Sequence, residues 1–171
     1  LLPELKTVET GSGKSTLANL LLRMYDVDQG KISYENTNIT AFDYVHLRHQ
    51  IGFVPQNVFL FSDTIANNIA FGLDNYTKEQ VETAAKQAAV YDNIMGFEEG
   101  FETHIGERGI TLSGGQKQRV SIARALVKNP EILIFDDCLS AVDTKTEEEI
   151  LNYLSKIMKD KTSIFIAHRI S

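Results

Sequence analysis

The chain has 171 residues, 43% of them hydrophobic and 23% charged, which is the composition of one globular domain with enough apolar material for a core. A net charge of −6 and the lack of a basic cluster argue against nucleic acid as a partner. One cysteine excludes an internal disulfide and suits a reducing compartment. Neither a membrane-spanning apolar run nor a signal peptide is expected.

The first motif is a glycine-rich turn near the start of the chain. Gly11-Ser12-Gly13-Lys14-Ser15-Thr16 matches the core of a phosphate-binding loop, in which N–H groups surround an anion, the lysine reaches the β and γ phosphates, and the serine contacts Mg²⁺. A helix is predicted over residues 15–24. The complete pattern has a glycine five positions before Gly13, where this chain has Val8. We expect residues to be missing between Val8 and Glu9; a damaged loop that binds nucleotide poorly is the alternative.

The middle of the chain is predicted to form short strands and helices. Strands are predicted at residues 30–34 and 51–54, a turn at 36–38, and helices at 43–50, 62–70 and 77–89. The helix at 77–89 begins with a capping box and carries an apolar stripe of Val81, Ala84, Ala85 and Ala88. His46 and His49 have a spacing compatible with metal ligation, but without a neighbouring carboxylate or cysteine we interpret them as a solvated surface pair.

The most informative stretch is residues 112–143. Residues 112–116, LSGGQ, open a helix predicted to run to about residue 128, where Asn129 and Pro130 stop it. Residues 132–135 are wholly apolar, which favours a parallel strand covered on both faces. The strand ends at Asp136 and Asp137, at the edge where open α/β sheets bind ligands. Asp136 is therefore the expected second holder of Mg²⁺, and the sequence predicts a nucleotide triphosphate with Mg²⁺.

The end of the chain is predicted to be a helix and a buried strand. Residues 144–147 fit a second capping box, and the helix that follows carries a predicted core stripe of Ile150, Leu151, Leu154, Ile157 and Met158. The strand at 163–167 leads to His168. Cys138, beside the aspartate pair, is interpreted as a small buried hydrophobic residue rather than a reactive thiol.

Five motifs in this order resemble those of the nucleotide-binding domain of an ABC transporter. They are Walker A at residues 11–16, Gln56 in FVPQ, LSGGQ, the strand ending in Asp136-Asp137 with Asp143 in SAVD, and His168 in IAHR. The resemblance implies an α/β P-loop NTPase fold with a mostly parallel sheet. It places the RecA-like core at residues 1–56 and 114–171 and a helical subdomain carrying LSGGQ at about 57–113, with N- and C-terminal parts missing. Residues 103–109 resemble the segment that meets the membrane domain in exporters.

The resemblance also implies the role of each motif. Asp137, His168 and Gln56 would be catalytic, and Ser15, Gln56 and Asp136 would hold Mg²⁺. ATP would be bound by two sets of residues, Thr10, Gly11, Ser12, Gly13, Lys14, Ser15 and Thr16 in one, and Ser113, Gly114, Gly115, Gln116 and Asp143 in the other.

The same resemblance implies partners. Two domains would associate head to tail, as a homodimer or a heterodimer, with each ATP held between the Walker A of one and the LSGGQ of the other. Their closure would drive transport through exporter membrane domains, fused or separate, at the cytoplasmic face of the cell membrane.

Asp137 departs from the family pattern, because active members usually have glutamate there. The carboxylate is withdrawn by roughly 1.5 Å, and misplacement of about 1 Å can cost about a hundredfold in rate. We therefore expect slow hydrolysis at this chain's own site. The alternatives are a degenerate, mainly ATP-binding half of a heterodimer that completes its partner's site, and a homodimer with two slow sites or with a compensating backbone. A soluble ABC ATPase of DNA maintenance is disfavoured, because the chain lacks sustained heptads.

Overall fold

The computed structural model describes residues 13–106, 109–139 and 142–166. Within them the chain forms seven α-helices and five β-strands in an α/β arrangement. The helices are α1 Lys14–Leu21, α2 Tyr44–His49, α3 Ile65–Ala70, α4 Lys78–Gln87, α5 Tyr91–Met95, α6 Gly114–Leu126 and α7 Thr144–Ile157. The strands are β1 Ser33–Tyr34, β2 Thr37–Asn38, β3 Ile51–Val54, β4 Ile132–Asp136 and β5 Thr162–Ile166. Short 3-10 turns occur at Ile39–Ala41, Gly100–Glu102 and Met158–Asp160.

The central sheet has the strand order β3-β4-β5, and both pairings are parallel. Val54 pairs with Phe135 at the end of β3, and Asp136 pairs with Ile166 at the end of β5. The carboxyl ends of the three strands therefore meet at one edge. The parallel arrangement predicted from the apolar run of β4 is confirmed, and that run is unalternating because both faces of β4 are buried.

Both faces of β4 are covered by helices. Ile134 packs on one face with Ala18 of α1 and with Leu22, the C-cap of that helix. Leu133 and Phe135 belong to a larger cluster on the other face, which includes buried residues of α3, α4, α6 and α7. The helical section in the middle of the chain thus shares one apolar core with the sheet.

Gly52 allows α6 to lie directly on β3. A Cβ atom added at Gly52 would be 2.7 Å from the carbonyl oxygen of Ala125 and 2.8 Å from the side chain of Leu133. Such distances are shorter than real side chains allow, so a larger residue would push α6 away from the sheet. Because α6 begins at LSGGQ, this close packing fixes the position of that motif relative to the strand edge.

Several predicted boundaries are corrected by the structure. The helix predicted from residue 62 begins at Ile65, because Thr64 is its N-cap and accepts a hydrogen bond from the Asn67 N–H at 3.1 Å. The predicted turn lies at Glu35 and Asn36, whose φ angles of 48° and 63° connect β1 to β2 as a hairpin.

The last helix is also corrected at its start and on its apolar face. Its N-cap is Asp143 rather than Thr144, and the Asp143 side chain accepts from the Thr146 N–H at 3.1 Å. Ile150 and Leu154 are fully buried, whereas Leu151 is 41% exposed and does not belong to the core stripe. By contrast, the stripe of Val81, Ala84, Ala85 and Ala88 and the capping box of α4 are confirmed.

In the described part of the chain, no helix combines the length and the apolar character needed to cross a lipid bilayer.

Candidate functional site

Three polar side chains meet where β3 and β4 end. Gln56 lies two residues beyond β3, Asp136 is the last residue of β4, and Asp137 follows it. The amide nitrogen of Gln56 donates a hydrogen bond to a carboxylate oxygen of Asp137 over 3.1 Å, although the two residues are 81 positions apart. The sequence analysis assigned both to one site, and the parallel pairing of β3 with β4 brings them into contact.

The two aspartates have different surroundings. Asp136 is only 5% exposed, and one of its carboxylate oxygens has no hydrogen-bond partner. Asp137 has a φ of 46°, in the left-handed region, and its N–H donates to the Ile166 carbonyl at 2.7 Å. The backbone therefore turns sharply after β4, while β5 holds the turn. A buried carboxylate oxygen without a hydrogen-bond donor is costly unless something else binds it, and a cation does so.

The phosphate-loop residues begin α1. Gly13 is the N-cap of α1 with a φ of 86°, which glycine adopts without strain, and it supplies no side chain to cap the helix. Lys14, Ser15 and Thr16 form the first turn, where the helix leaves N–H groups available to an anion. Since α1 packs against β4 through Ala18, this turn belongs to the same half of the domain as Asp136.

The LSGGQ motif forms the start of α6. Ser113 is the N-cap: its hydroxyl accepts from the Gln116 N–H at 3.2 Å, and the Gln116 side chain accepts from the Ser113 N–H at 2.9 Å. This capping box satisfies two of the terminal donors. Gly114 and Gly115 occupy the first turn of a 13-residue helix, and a Cβ atom added at Gly114 would meet nothing within 4 Å. The corner is therefore open to an incoming group, with a positive helix end facing it.

This arrangement of motifs matches a known protein family. The family model described as ABC transporter matches residues 9–140. The chain belongs to the ABC transporter family. Its motifs and its relatives make it a nucleotide-binding domain of exporter type, in a family that binds ATP.

The relatives are ATP-binding proteins and exporters. The multidrug resistance-like ATP-binding protein MdlA of Escherichia coli is 50% identical over 95% of this chain and 28% of its own length. The ATM1-type heavy metal exporter of Novosphingobium aromaticivorans is 49% identical over 95% of this chain and 27% of its own length. The solved structure of a bacterial Atm1-family ABC exporter with ATP bound matches 94% of the chain and 28% of its own chain, with a TM-score of 0.88 and 48% identity. The chain thus spans less than a third of these relatives.

Asp143 of this ABC domain lies at the N-terminus of α7. Hydrogen bonding by Thr146 lowers the pKa of the exposed Asp143 carboxyl, and the positive charge of Arg119 on α6 acts in the same direction. Asp143 is thus ionised at neutral pH and lies within electrostatic reach of the signature helix.

Several predicted site residues lie outside the described residues. They are Thr10, Gly11 and Ser12 of the phosphate loop and His168 at the end of the chain. Their assigned roles stay predictions. Cys138 is described and is 2% exposed, and burial raises the pKa of its thiol to about 12, which fits its interpretation as a core residue.

The sequence analysis missed two arginines of α6. Arg119 donates to the Ala89 carbonyl, whereas Arg124 donates to the Asn68 and Phe59 carbonyls and also contacts the Asn68 side chain at 3.0 Å. A signal was present, because both arginines adjoin apolar residues in the run from Val120 to Leu126, where a buried helix face is expected. Their partners outside α6 were not predictable, since these lie 26 to 65 positions away.

Proposed function

We propose that this domain is the ATP-hydrolysing engine of an ABC exporter at the cytoplasmic face of the membrane. It binds ATP with Mg²⁺, associates head to tail with a second nucleotide-binding domain, and couples closure and reopening to transport by membrane domains. The observation that carries the proposal is the contact between Gln56 and Asp137 beside the buried Asp136. That contact joins a residue after β3 to a carboxylate after β4, where a γ-phosphate and its attacking water would lie.

The residues present fit a magnesium ion. Asp136 offers a buried carboxylate oxygen without a hydrogen-bond donor, Ser15 offers a hydroxyl in the first turn of α1, and Gln56 has a carbonyl oxygen in addition to the nitrogen used by Asp137. Oxygen ligands of this kind suit Mg²⁺. When bound, the ion neutralises charge on the phosphate oxygens.

Asp137 acts on water in this proposal. Its carboxylate accepts a hydrogen bond from water and takes up the proton that the water loses during attack, while Gln56 holds one carboxylate oxygen in place. The aspartate side chain is one methylene shorter than glutamate. Its carboxylate therefore stands back from the phosphate, and we infer that hydrolysis at this chain's own site is slow.

A second candidate function follows from the difference between Asp137 and the LSGGQ motif. Asp137 departs from the family pattern, whereas the capping box that orders Ser113 to Gln116 is complete. A domain of this kind serves a heterodimer as its mainly ATP-binding half. Its own nucleotide turns over slowly, and its signature corner completes the partner's active site.

We also propose which surface takes the membrane domain. Phe59 and Phe71 are 67% and 57% exposed, and both rings contact Phe61 at centroid distances of 5.0 and 4.3 Å. Phe71 lines a groove of about 440 Å³ together with Arg124, between α2 and α6. An exposed aromatic cluster next to a groove marks an interaction surface.

The relatives support one occupant for this surface. They include a heavy metal exporter and an Atm1-family exporter of which this chain spans less than a third, and we assign an apolar helix of the membrane domain to the groove. The segment 103–109 was predicted to meet the same domain. Its described part is tied to the start of α3, where the Ile65 N–H donates to the Thr103 carbonyl at 3.0 Å and the Ile105 N–H to the Asp63 carbonyl at 3.0 Å.

The proposal is tested by Asp137→Glu in the complete transporter. Restoring the longer carboxylate is expected to raise single-turnover hydrolysis at this site by about tenfold or more, because the base then reaches the attacking water. Asp137→Asn is the matched control and should abolish hydrolysis at this site while leaving ATP binding intact.

The outcome separates the two candidates. A rise in turnover supports an engine limited by the short side chain. Full turnover of the partner's nucleotide in both Asp137 variants supports the binding half of a heterodimer. Unchanged turnover in Asp137→Glu, with no partner site that depends on this chain, contradicts both.

A further inference from the structure

Arg119 joins three elements at the start of the signature helix. Its Nε donates to the Gly115 carbonyl at 3.2 Å, and a terminal nitrogen donates to the Ala89 carbonyl at 2.6 Å and to the Asn93 side chain at 2.9 Å. Gly115 lies in the first turn of α6, Ala89 follows α4, and Asn93 is on α5. One half-buried guanidinium therefore holds the signature turn against the junction of two other helices.

The Ala89 carbonyl, which is the closest acceptor of Arg119, belongs to a left-handed turn. Ala89 has a φ of 52°, in the left-handed region, directly after α4. The Val90 N–H donates to the Ala85 carbonyl at 2.9 Å and the Ala89 N–H to the Lys86 carbonyl at 3.1 Å, which is the pattern of a Schellman motif. Glycine usually occupies this position, so the turn holds a strained alanine that directs its carbonyl at Arg119.

Arg119 also faces negative charge on α7. Burial lowers the pKa of Arg119, and the carboxylates of Asp143 and Glu149 oppose that effect. In the described residues no direct hydrogen bond joins Arg119 to Asp143. Asp143 caps α7 at the end of the loop that follows β4. The arginine is thus bonded to the signature turn and attracted to the start of α7.

We propose that Arg119 is a positioning residue that holds the signature turn in a fixed position against the junction of α4 and α5, an inference that rests on the proposed head-to-tail dimer. In that dimer the signature turn would face the partner's nucleotide and would not touch the nucleotide of its own chain's Walker site. Arg119 acts through its hydrogen bond to the Gly115 carbonyl, while the Ala89 carbonyl and the Asn93 side chain hold the guanidinium from the other side.

The test compares two arginines in the complete transporter. Arg119→Lys keeps the charge but cannot maintain three hydrogen bonds in the same geometry. Arg23→Lys is the matched control, because Arg23 is buried and also donates to backbone carbonyls, at Ile39 and Phe42, outside α4, α5 and α6. We expect Arg119→Lys to raise the ATP concentration needed for closure about tenfold. ATP binding to the open domain should change less than twofold, and Arg23→Lys should not produce this split.

A double-mutant cycle tests the link between the signature turn and α5. If Arg119 acts through Asn93, then Arg119→Lys combined with Asn93→Ala should weaken closure no more than the stronger single change. Multiplying effects, or the same response from Arg119→Lys and Arg23→Lys, would overturn the proposal. If Arg119→Lys fails to fold, Asn93→Ala removes one exposed acceptor and should weaken closure in the same direction, whereas an unaltered response would count against the proposal.

Different results would contradict the head-to-tail dimer and the positioning role of Arg119. If the unmodified transporter shows no ATP-driven closure, the head-to-tail dimer is wrong and the role of Arg119 falls with it. If it closes normally and Arg119→Lys affects closure and open-state binding equally, only the positioning role is wrong.

Discussion

The two corners of this domain that concern nucleotide differ in how completely their polar groups are bonded. At the strand edge, Asp136 keeps a buried oxygen without a donor, and Asp137 occupies the left-handed turn that follows β4. At the signature corner, Ser113 and Gln116 satisfy each other, and Arg119 is bonded on three sides. At the strand edge a carboxylate oxygen therefore still needs a ligand, because no group in the described part of the chain binds it. The signature corner is already ordered by its own hydrogen bonds.

This difference indicates how far each corner depends on a bound ligand. An unpaired buried oxygen is stabilised only when a cation or donor binds, so the strand edge depends on its nucleotide. A corner ordered by its own hydrogen bonds loses little conformational freedom when it meets a phosphate. In the proposed dimer, this difference would favour completion of the partner's site over hydrolysis at the chain's own site.

The largest effect should come from removing the charge at the strand edge. Asp136→Asn keeps the volume of the side chain but withdraws the negative charge that would bind Mg²⁺, so Mg²⁺-dependent ATP binding should weaken by about a hundredfold or more. Equilibrium binding with and without Mg²⁺ measures this loss. Binding without Mg²⁺ should not weaken. Equal Mg²⁺ dependence in both proteins would show that Asp136 holds no cation.

An intermediate effect should come from placing a charge at the signature corner. Gly114→Asp fits the open space at that position, and a carboxylate in the first turn of α6 interacts favourably with the helix dipole. The same carboxylate repels the partner's γ-phosphate, so ATP-driven closure should weaken by about tenfold or more. Gly114→Asn is the uncharged control of the same shape.

The two readouts for Gly114→Asp are closure and thermal stability. Closure should fall while the unfolding temperature stays the same or rises. Equal losses of closure in Gly114→Asp and Gly114→Asn would mean that size rather than charge matters there, and the corner would then not face an anion.

The central sheet was the most predictable part of the fold. An apolar run of the length of β4, bounded by a proline and two aspartates, leaves few alternatives to a buried strand. The end of the helix before it was also predictable, and Asn129 does leave the α region, with a φ of 49°. The start of α7 was not, because Asp143 and Thr144 are both good N-caps, and only the backbone decides between them.

The contacts inside the site were predictable in part. The motif order placed Gln56, Asp136 and Asp137 in one site, and parallel pairing makes their proximity a geometric consequence. Which nitrogen of which side chain meets Asp137 depends on rotamers and on the left-handed turn after β4, for which the sequence has no signature. The bonds of Arg119 likewise depend on how α4, α5 and α6 pack, and packing is a property of the whole core.

The smallest effect should come from relieving the backbone strain at Ala89. Ala89→Gly removes a left-handed strain of about 1–2 kcal/mol, and it costs about 0.4–1 kcal/mol because glycine makes the unfolded chain more flexible. The free energy of unfolding should therefore rise by about 0.5 kcal/mol, measured by chemical or thermal unfolding of the same transporter. The carbonyl that Arg119 binds is unchanged, so ATP-driven closure should be unaffected.

The neighbouring alanine is the matched control for this strain. Ala88 is fully buried with a φ of −91°, so Ala88→Gly relieves nothing and loses a packed methyl group. It should destabilise the protein by about 1 kcal/mol. If Ala89→Gly destabilises as much as Ala88→Gly, the left-handed turn stores no strain. Holding the Ala89 carbonyl against Arg119 would then have no measurable energetic cost, and the contrast between a preformed corner and a ligand-dependent one would rest on hydrogen bonding alone.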